Sequence, residues 1–470
     1  MNTTKTIMII VVLSLFFTVS CSTAKKIDKN ESIRSQASPC NPPDKLKIYE
    51  LTKIYKKAEY HFIFWERLEG TLDWEAAYHE ALPRVLATNS LFEYYLELWR
   101  FVALLRDGHT DMSFPASVWE DENLTASLTV AFGFINDQYI IDRVDESVID
   151  IVKPGSIVHK INGVDIEEFI ETNIYPYIWH EKKDSVGFWR LEFLRRWSIG
   201  HEAILEIEYE GKIETITLQR TVYSKNWVSL NNGVLPTDEL RVVYESDSHT
   251  IAFTEDNIAV ITIDTFFNYD LPSDFFANYS LLENAAGYII DVRENGGGNS
   301  KNGDQVSAVF IGEDFTNQRA LHRKHKIFDY FERLYRIPRN KYYEEYFLTI
   351  KISRLNIPGV LNAPLVVLSS RETGSAAETF LLNFDTTKRA TIVGTASYGS
   401  TGQPIHINLK SGGSVRICTR WVTYPDGREF INIGIQPHIQ IENSIEDLKN
   451  GVDAVMNKGL EEVRRQIDNQ

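Results

Sequence analysis

The stretch LVVLSSRETGSAAE, residues 365–378, decides how the rest of the chain is read. Leu365-Val366-Val367-Leu368 is a run for a buried strand, and Gly374-Ser375-Ala376-Ala377 turns out of it into a helix start. Ser375 therefore falls on a strand-to-helix corner. Such a corner lifts a hydroxyl clear of the core and places the first amides of the helix beside it, where they stabilise an anion. A serine at this position is also the ordinary N-cap residue, so the corner alone does not make it a nucleophile.

A second stretch points the same way. GYIIDVRENGGGN, residues 287–299, begins as a buried strand and ends in Asn295-Gly296-Gly297-Gly298, a loop whose backbone N–H groups no side chain covers. The loop lacks the Lys-Ser/Thr ending of a nucleotide P-loop and the spacing of a dinucleotide fingerprint. Acyl transfer needs two donors aimed at a developing oxyanion, and one donor is worth about 2.7–4 kcal/mol of barrier. The amides of Gly297 and Ala376 can supply that pair.

Asp291-Val292-Arg293-x-Asn295-x-Gly297-Gly298 followed by Gly374-Ser375-Ala376-x-Glu378 resembles the signature of the tail-specific (C-terminal processing) serine peptidases, which include the core of the tricorn protease. A third block, from Ile392-Val393-Gly394 through Tyr398-Gly399-Ser400-Thr401-Gly402 to Gly434-Ile435-Gln436-Pro437, agrees in order. The resemblance implies an α/β fold: a crotonase-like ββα spiral catalytic core with an N-terminal helical bundle and a PDZ-like β-rich domain. It also implies a serine peptidase that needs no cofactor or metal and takes a peptide or unfolded protein as substrate.

A serine hydroxyl needs a base. Members of the Ser-Lys type carry a lysine in a Gly-Lys-Gly element after the nucleophile helix. Here that place reads Gly399-Ser400-Thr401-Gly402, and Lys388 and Lys410, the nearest lysines, do not match. Asp107-Gly108-His109-Thr110 instead resembles the block that holds the histidine of the tricorn-like branch, which makes His109 the expected base. A histidine after a helix C-terminus is by itself most often structural. The residue that orients the imidazole stays open among Glu378, Glu429 and Ser400, with Thr401 beside it as a further hydroxyl. The tricorn-like pattern puts a glutamate where Ile431 stands, and Pro437-His438 replaces the usual Pro-Asp.

Outward from this core, the chain divides into expected segments. Residues 1–21 have Lys5, an apolar run from Ile7 to Phe17 and Cys21, a secretory signal too short for an ordinary membrane span. Thr18-Val19-Ser20-Cys21 resembles a bacterial lipobox, which implies a lipid on Cys21 and a place in the cell envelope, on the periplasmic side or at the outer membrane. Residues 22–43 read as a tether.

Residues 44–115 read as helical. Leu91, Tyr94, Leu98, Phe101, Val102 and Leu105 share one face, Ser90 and Glu93 form a capping box, and Gly108 acts as the stop. Residues 116–225 read as β, and 153–164 resemble the Pro-Gly to Ile-Asn-Gly block of PDZ domains, with Phe132-Gly133-Phe134 either its carboxylate loop or a strand whose glycine marks a bulge. Glu171 to Ser198 reads as an inserted helical hairpin. Residues 245–470 form the catalytic region. Within it Phe310 to Ser353 is a lid or channel wall, and Ser444 to Asp468 is a closing amphipathic helix.

The length of 470 residues suits two or three cores, and a net charge of −16 sets no basic face aside for nucleic acid. Cys40 and Cys418 either pair or stay free. No HExxH or clustered Cys/His spacing argues for zinc. The alternative function is a lipoprotein of the same fold that binds peptides or hydrophobic ligands without catalysis.

Overall fold

The computed structural model describes residues 41–470 apart from 122–125, 179–186, 197–201, 222–225, 231–239, 324–342 and 352–354. The signal segment, Cys21, Cys40 and nearly all of the tether lie outside the described residues, as do parts of the expected hairpin and lid. Among the described residues no helix is long and apolar enough to cross a membrane.

A seven-stranded sheet organises the C-terminal half of the chain, in the order Arg241–Glu245, Thr250–Phe253, Ile258–Thr262, Gly287–Asp291, Leu365–Ser369, Thr391–Gly394 and Ile439–Gln440. From Ile258–Thr262 onward the neighbours are parallel. Parallel strands need both faces covered, which is why Leu365-Val366-Val367-Leu368 is apolar at every position. Val366 and Leu368 face Val455, Met456, Leu460 and Val463 of the last helix, while Leu365 and Val367 belong to the main core on the other side. Both expected strands, 288–292 and 365–368, are neighbours in this sheet.

The N-terminal part contributes three longer helices, α1 (Asp44–His61), α2 (Trp74–Leu86) and α3 (Leu91–Ala103). Leu91, Tyr94, Leu98, Phe101 and Val102 are buried as their spacing requires. Ser90 Oγ accepts the Glu93 N–H at 3.1 Å, while the Glu93 carboxylate reaches the Asn89 N–H at 2.7 Å. The turn after α3 is made by Arg106 at φ 53°, so Gly108 is not the helix stop. Gly108 serves close approach instead: a Cβ there would lie 2.8 Å from Ser400 Oγ.

An eight-stranded antiparallel sheet spans much of 127–229. Ile157–Ile161 and Val164–Asp165 form a hairpin around Asn162 and Gly163, whose φ of 51° and 80° are what a two-residue turn of that hand requires. Phe132-Gly133-Phe134 is not a loop: it lies inside Val130–Ile135, paired with Gln138–Asp145, with a register shift between Ala131 and Phe132. Glycine marks a bulged strand there.

Around this sheet, α4 (Ser300–Ile311) follows the glycine loop and α5 (Ala376–Thr387) follows Ser375. The closing segment is two helices, Ile445–Lys449 and α6 (Ala454–Asp468), broken at Asn450-Gly451. Asp453 caps α6 and also receives the Arg293 guanidinium at 2.8 Å, which ties the Asp-Val-Arg motif to this helix.

Candidate functional site

Adjacent parallel strands end side by side, and the loops that leave their C-terminal ends form the crevice where α/β sheets hold ligands. Gly287–Asp291 runs out into the glycine loop and Leu365–Ser369 into the segment before Ser375. Thr373 Oγ1 donates to Val292 O at 2.9 Å, and the Gly374 N–H donates to Asn295 O at 3.0 Å. A Cβ at Gly297 would stand 2.6 Å from Ser375 Cβ, so only glycine permits this approach, at φ 112°.

Ser375 stands before α5 with φ 53° and ψ −115°. A non-glycine residue rarely adopts positive φ, and strain of this kind collects where a side chain must be aimed. Its N–H donates to Ser400 O at 3.1 Å and to the Glu378 carboxylate at 3.2 Å. Its Oγ lies 3.0 Å from His109 Nε2.

His109 reaches this corner across 266 residues by strand pairing. Asp111–Ser113 pairs antiparallel with Ser414–Cys418, and Asp111 holds Arg416 through a two-pronged ion pair. Thr110 Oγ1 accepts the Cys418 N–H at 3.0 Å and donates to Asp107 at 2.7 Å. His109 is buried, at 9 % exposed. Its Nδ1 faces Ser400 Oγ at 2.7 Å. Burial, with the Arg416 and Arg420 charges adding to it, pushes the imidazole down to about 3. The ring is therefore neutral at physiological pH. Burial raises Asp107 to about 6 against its hydrogen bond from Thr110.

Of the residues considered for orienting the imidazole, Ser400 touches it. Glu378 stands behind Ser400: its carboxylate accepts from Ser397 Oγ and the Gly399 N–H, both at 2.6 Å, and from the Ser400 N–H at 3.0 Å. Burial lifts this carboxyl to about 7 despite those donors. Glu429 is elsewhere, bound to Arg67 and to Trp421 Nε1, each at 3.0 Å. Lys388 pairs with Asp385 at the far end of α5, and Lys410 lies over the Tyr49 ring.

His438 also finds an account: Nδ1 accepts the Ile392 N–H at 2.8 Å and Nε2 faces Asp385 at 3.2 Å, so it secures the outer strands of the sheet. Cys418 is buried and pairs with no cysteine among the described residues, which do not include Cys40.

The two expected oxyanion donors differ. Ala376, the first residue of α5, has an N–H with no acceptor among the described residues. The Gly297 N–H is instead engaged, donating to Asn295 Oδ1 at 3.0 Å in a turn closed by the asparagine side chain. The same side chain is anchored through Nδ2 to Ile263 O at 2.9 Å. Sequence patterning shows the glycines but not that an asparagine two residues earlier takes one of their amides.

Comparison with known proteins adds to this geometry. A curated carboxy-terminal-processing protease of Bartonella bacilliformis is 32% identical over 104 residues, 22% of this chain and 24% of the relative. The match thus spans about a quarter of that relative's length. A solved structure of mature CPAF complexed with lactacystin superposes with a TM-score of 0.69 at 15% identity, covering 91% of this chain and 99% of that one. A putative peptidase from Parabacteroides merdae gives 0.51 at 14% identity, covering 90% and 97%. At these identities the two structures show a shared fold. The model of the family described as "Peptidase family S41" matches residues 257–441, which contain the glycine loop, Ser375 and Ser400. The chain therefore carries a peptidase family S41 domain over residues 257–441.

Proposed function

We propose that this chain is a serine peptidase in which Ser375 is the nucleophile and His109 its base. The observation that carries the reading is the 3.0 Å separation of Ser375 Oγ and His109 Nε2, on a corner whose strained backbone aims the hydroxyl. For Nε2 to accept the hydroxyl proton, the ring must carry its own proton on Nδ1, which then donates to Ser400 Oγ. Ser400 thereby holds the ring plane, and its hydroxyl can accept from Nδ1 in the tautomer that the reaction needs.

The reaction follows from those positions. Ser375 Oγ adds to a peptide carbonyl as its proton passes to Nε2; the imidazolium returns that proton to the departing amine, leaving an ester on Ser375. Water, deprotonated by the same nitrogen, then frees the acid. The Ala376 N–H is one donor to the tetrahedral oxygen. Gly297 supplies the second once its N–H leaves Asn295 Oδ1, a bond that a substrate carbonyl can compete for. An extended peptide or a chain terminus of an exported protein is the substrate class that the signal segment and the resemblance support.

Digestion of denatured casein, followed by mass spectrometry, tests the assignment. Wild type should release new termini and Ser375→Ala none, with unchanged melting. Equal digestion by both would refute Ser375 as the nucleophile, and digestion by neither would return the chain to the ligand-binding reading. The anchoring at Cys21 is tested separately: palmitate labelling of cells should be lost in Cys21→Ala, and labelling that persists would refute it.

A further inference from the structure

Glu378, on the first turn of α5, is fully buried and forms no ion pair among the described residues, yet both of its oxygens are occupied. Oε1 accepts from Ser397 Oγ and the Gly399 N–H, each at 2.6 Å. Oε2 accepts from the Ser400 N–H at 3.0 Å and the Ser375 N–H at 3.2 Å. Three of these partners are backbone N–H groups, which only donate, and Ser397 Oγ already accepts the Ile435 N–H at 2.7 Å. An ionised carboxylate offers about four acceptor sites and no donor, so the charged form fills this cradle. A proton on either oxygen would set a donor where a donor already points.

What the cradle holds is the reacting pair. The Ser400 N–H fixes the residue whose Oγ meets His109 Nδ1 at 2.7 Å. The Ser375 N–H belongs to the corner at φ 53°, and it donates to Ser400 O as well. One carboxylate therefore ties the backbone of the proposed nucleophile to the partner of its base.

Burial lifts Glu378 to about 7 against its four donors. The charge that the cradle suits is thus present above neutral pH and lost below it. His109, pushed down to about 3, keeps its charge state across that range. The surrounding elements bring Tyr398 on the same turn, Asp107 beside His109, Glu294 and Glu372 near the Ser375 corner, and Asp304 on α4. None of these four acids shares a hydrogen bond with Glu378. Arg293, Arg371 and Arg416 each answer another carboxylate, and the Arg420 charge acts on Asp304.

We propose that Glu378 is a positioning residue for this site: its ionised carboxylate holds Ser400 against His109 and the Ser375 amide at the corner, and protonating it loosens both. This rests on the reading of Ser375 and His109 as nucleophile and base.

The test follows the rate at which a fluorophosphonate modifies Ser375 in the full chain between about pH 5 and pH 9, on either side of the Glu378 value. In wild type the rate should rise at least about tenfold over that range, with its midpoint near 7. Folded Glu378→Gln, which brings an amide donor and no titration, should lose the step and react at least about tenfold more slowly at the alkaline end. Ser397→Ala takes one donor from the charged form and leaves Asp107 and Glu294 untouched. Its midpoint should move up by about one unit, the worth of one hydrogen bond to a charged group. This variant also covers the case in which Glu378→Gln does not fold.

A wild-type rate that is flat across the range, a step that survives in folded Glu378→Gln, or an unmoved midpoint in Ser397→Ala overturns the proposal. A wild type that reacts no faster than His109→Gln at any pH would sink the nucleophile-and-base reading, and the positioning role with it. A rate that depends on His109 but lacks the Glu378 and Ser397 effects would sink the positioning role alone.

Discussion

Ser90 and Ser375 each stand immediately before a buried helix, with a glutamate three residues on, yet their backbones differ. Ser90 has the extended φ −137°, ψ 161° of an ordinary cap, whereas Ser375 is held at φ 53°, ψ −115°. At Ser90 the hydroxyl accepts from Glu93 and satisfies the helix end. At Ser375 the hydroxyl faces His109, and the glutamate accepts the backbone N–H instead. The same local pattern thus serves stability in one place and, on the proposed reading, aims the nucleophile in the other. What separates them is the tertiary surroundings: the glycine loop pressed against Ser375 and the Ser400 carbonyl on its amide.

The largest expected effect that sharpens this contrast is on activity. Ser375→Ala should lower kcat on the order of 10⁴-fold or more, as loss of a nucleophile does, with stability within about 0.5 kcal/mol of wild type. Steady-state peptide cleavage and denaturant melts measure both, and retained activity would place Ser375 with the ordinary caps. Ser400→Ala should cost about 10²-fold in kcat, the lower end of what a positioned base contributes, with little change in KM. An unchanged kcat would mean that the 2.7 Å contact to His109 does not orient the ring.

Smaller effects concern stability. Ser375→Gly should gain roughly 1 kcal/mol by releasing positive-φ strain, and a loss in urea melts would contradict strain at that corner. Ser90→Ala should lose about 1 kcal/mol with activity intact.

A pH series refines the picture. His109 is depressed from 6.5 to about 3, so the unfolded chain takes the proton first and stability falls as pH drops from about 6.5 toward 3. Glu378 and Asp107, raised to about 7 and about 6, act the other way: their contribution is lost as pH rises through those values. Comparing wild type with His109→Gln isolates the histidine, and the variant should lose less stability on acidification. Parallel curves would show that His109 is not held neutral by burial.

Much of this site was legible in one dimension because its chemistry restricts residue choice. The glycine loop, the Ser375 corner and the Asp107-to-Thr110 block each stand in short, recognisable spacing. The partner of His109 Nδ1 was not, since Ser400, Glu378 and Glu429 are all plausible until folding places them. Glu429 is drawn off by Arg67 and Trp421, and Glu378 is spent on three donors of the 397–400 turn. Gly108 misled and Gly133 left two readings open for one reason: glycine reports a steric need, and sequence does not say whether that need is a turn, a bulge or a neighbour's approach.

The account turns on whether His109 activates Ser375, and the rate at which a fluorophosphonate modifies Ser375 measures this without any knowledge of substrate. Wild type should react at Ser375 alone, and folded His109→Gln should react at least about 10²-fold more slowly. Equal rates in the two proteins, or a wild type that does not react, would contradict it.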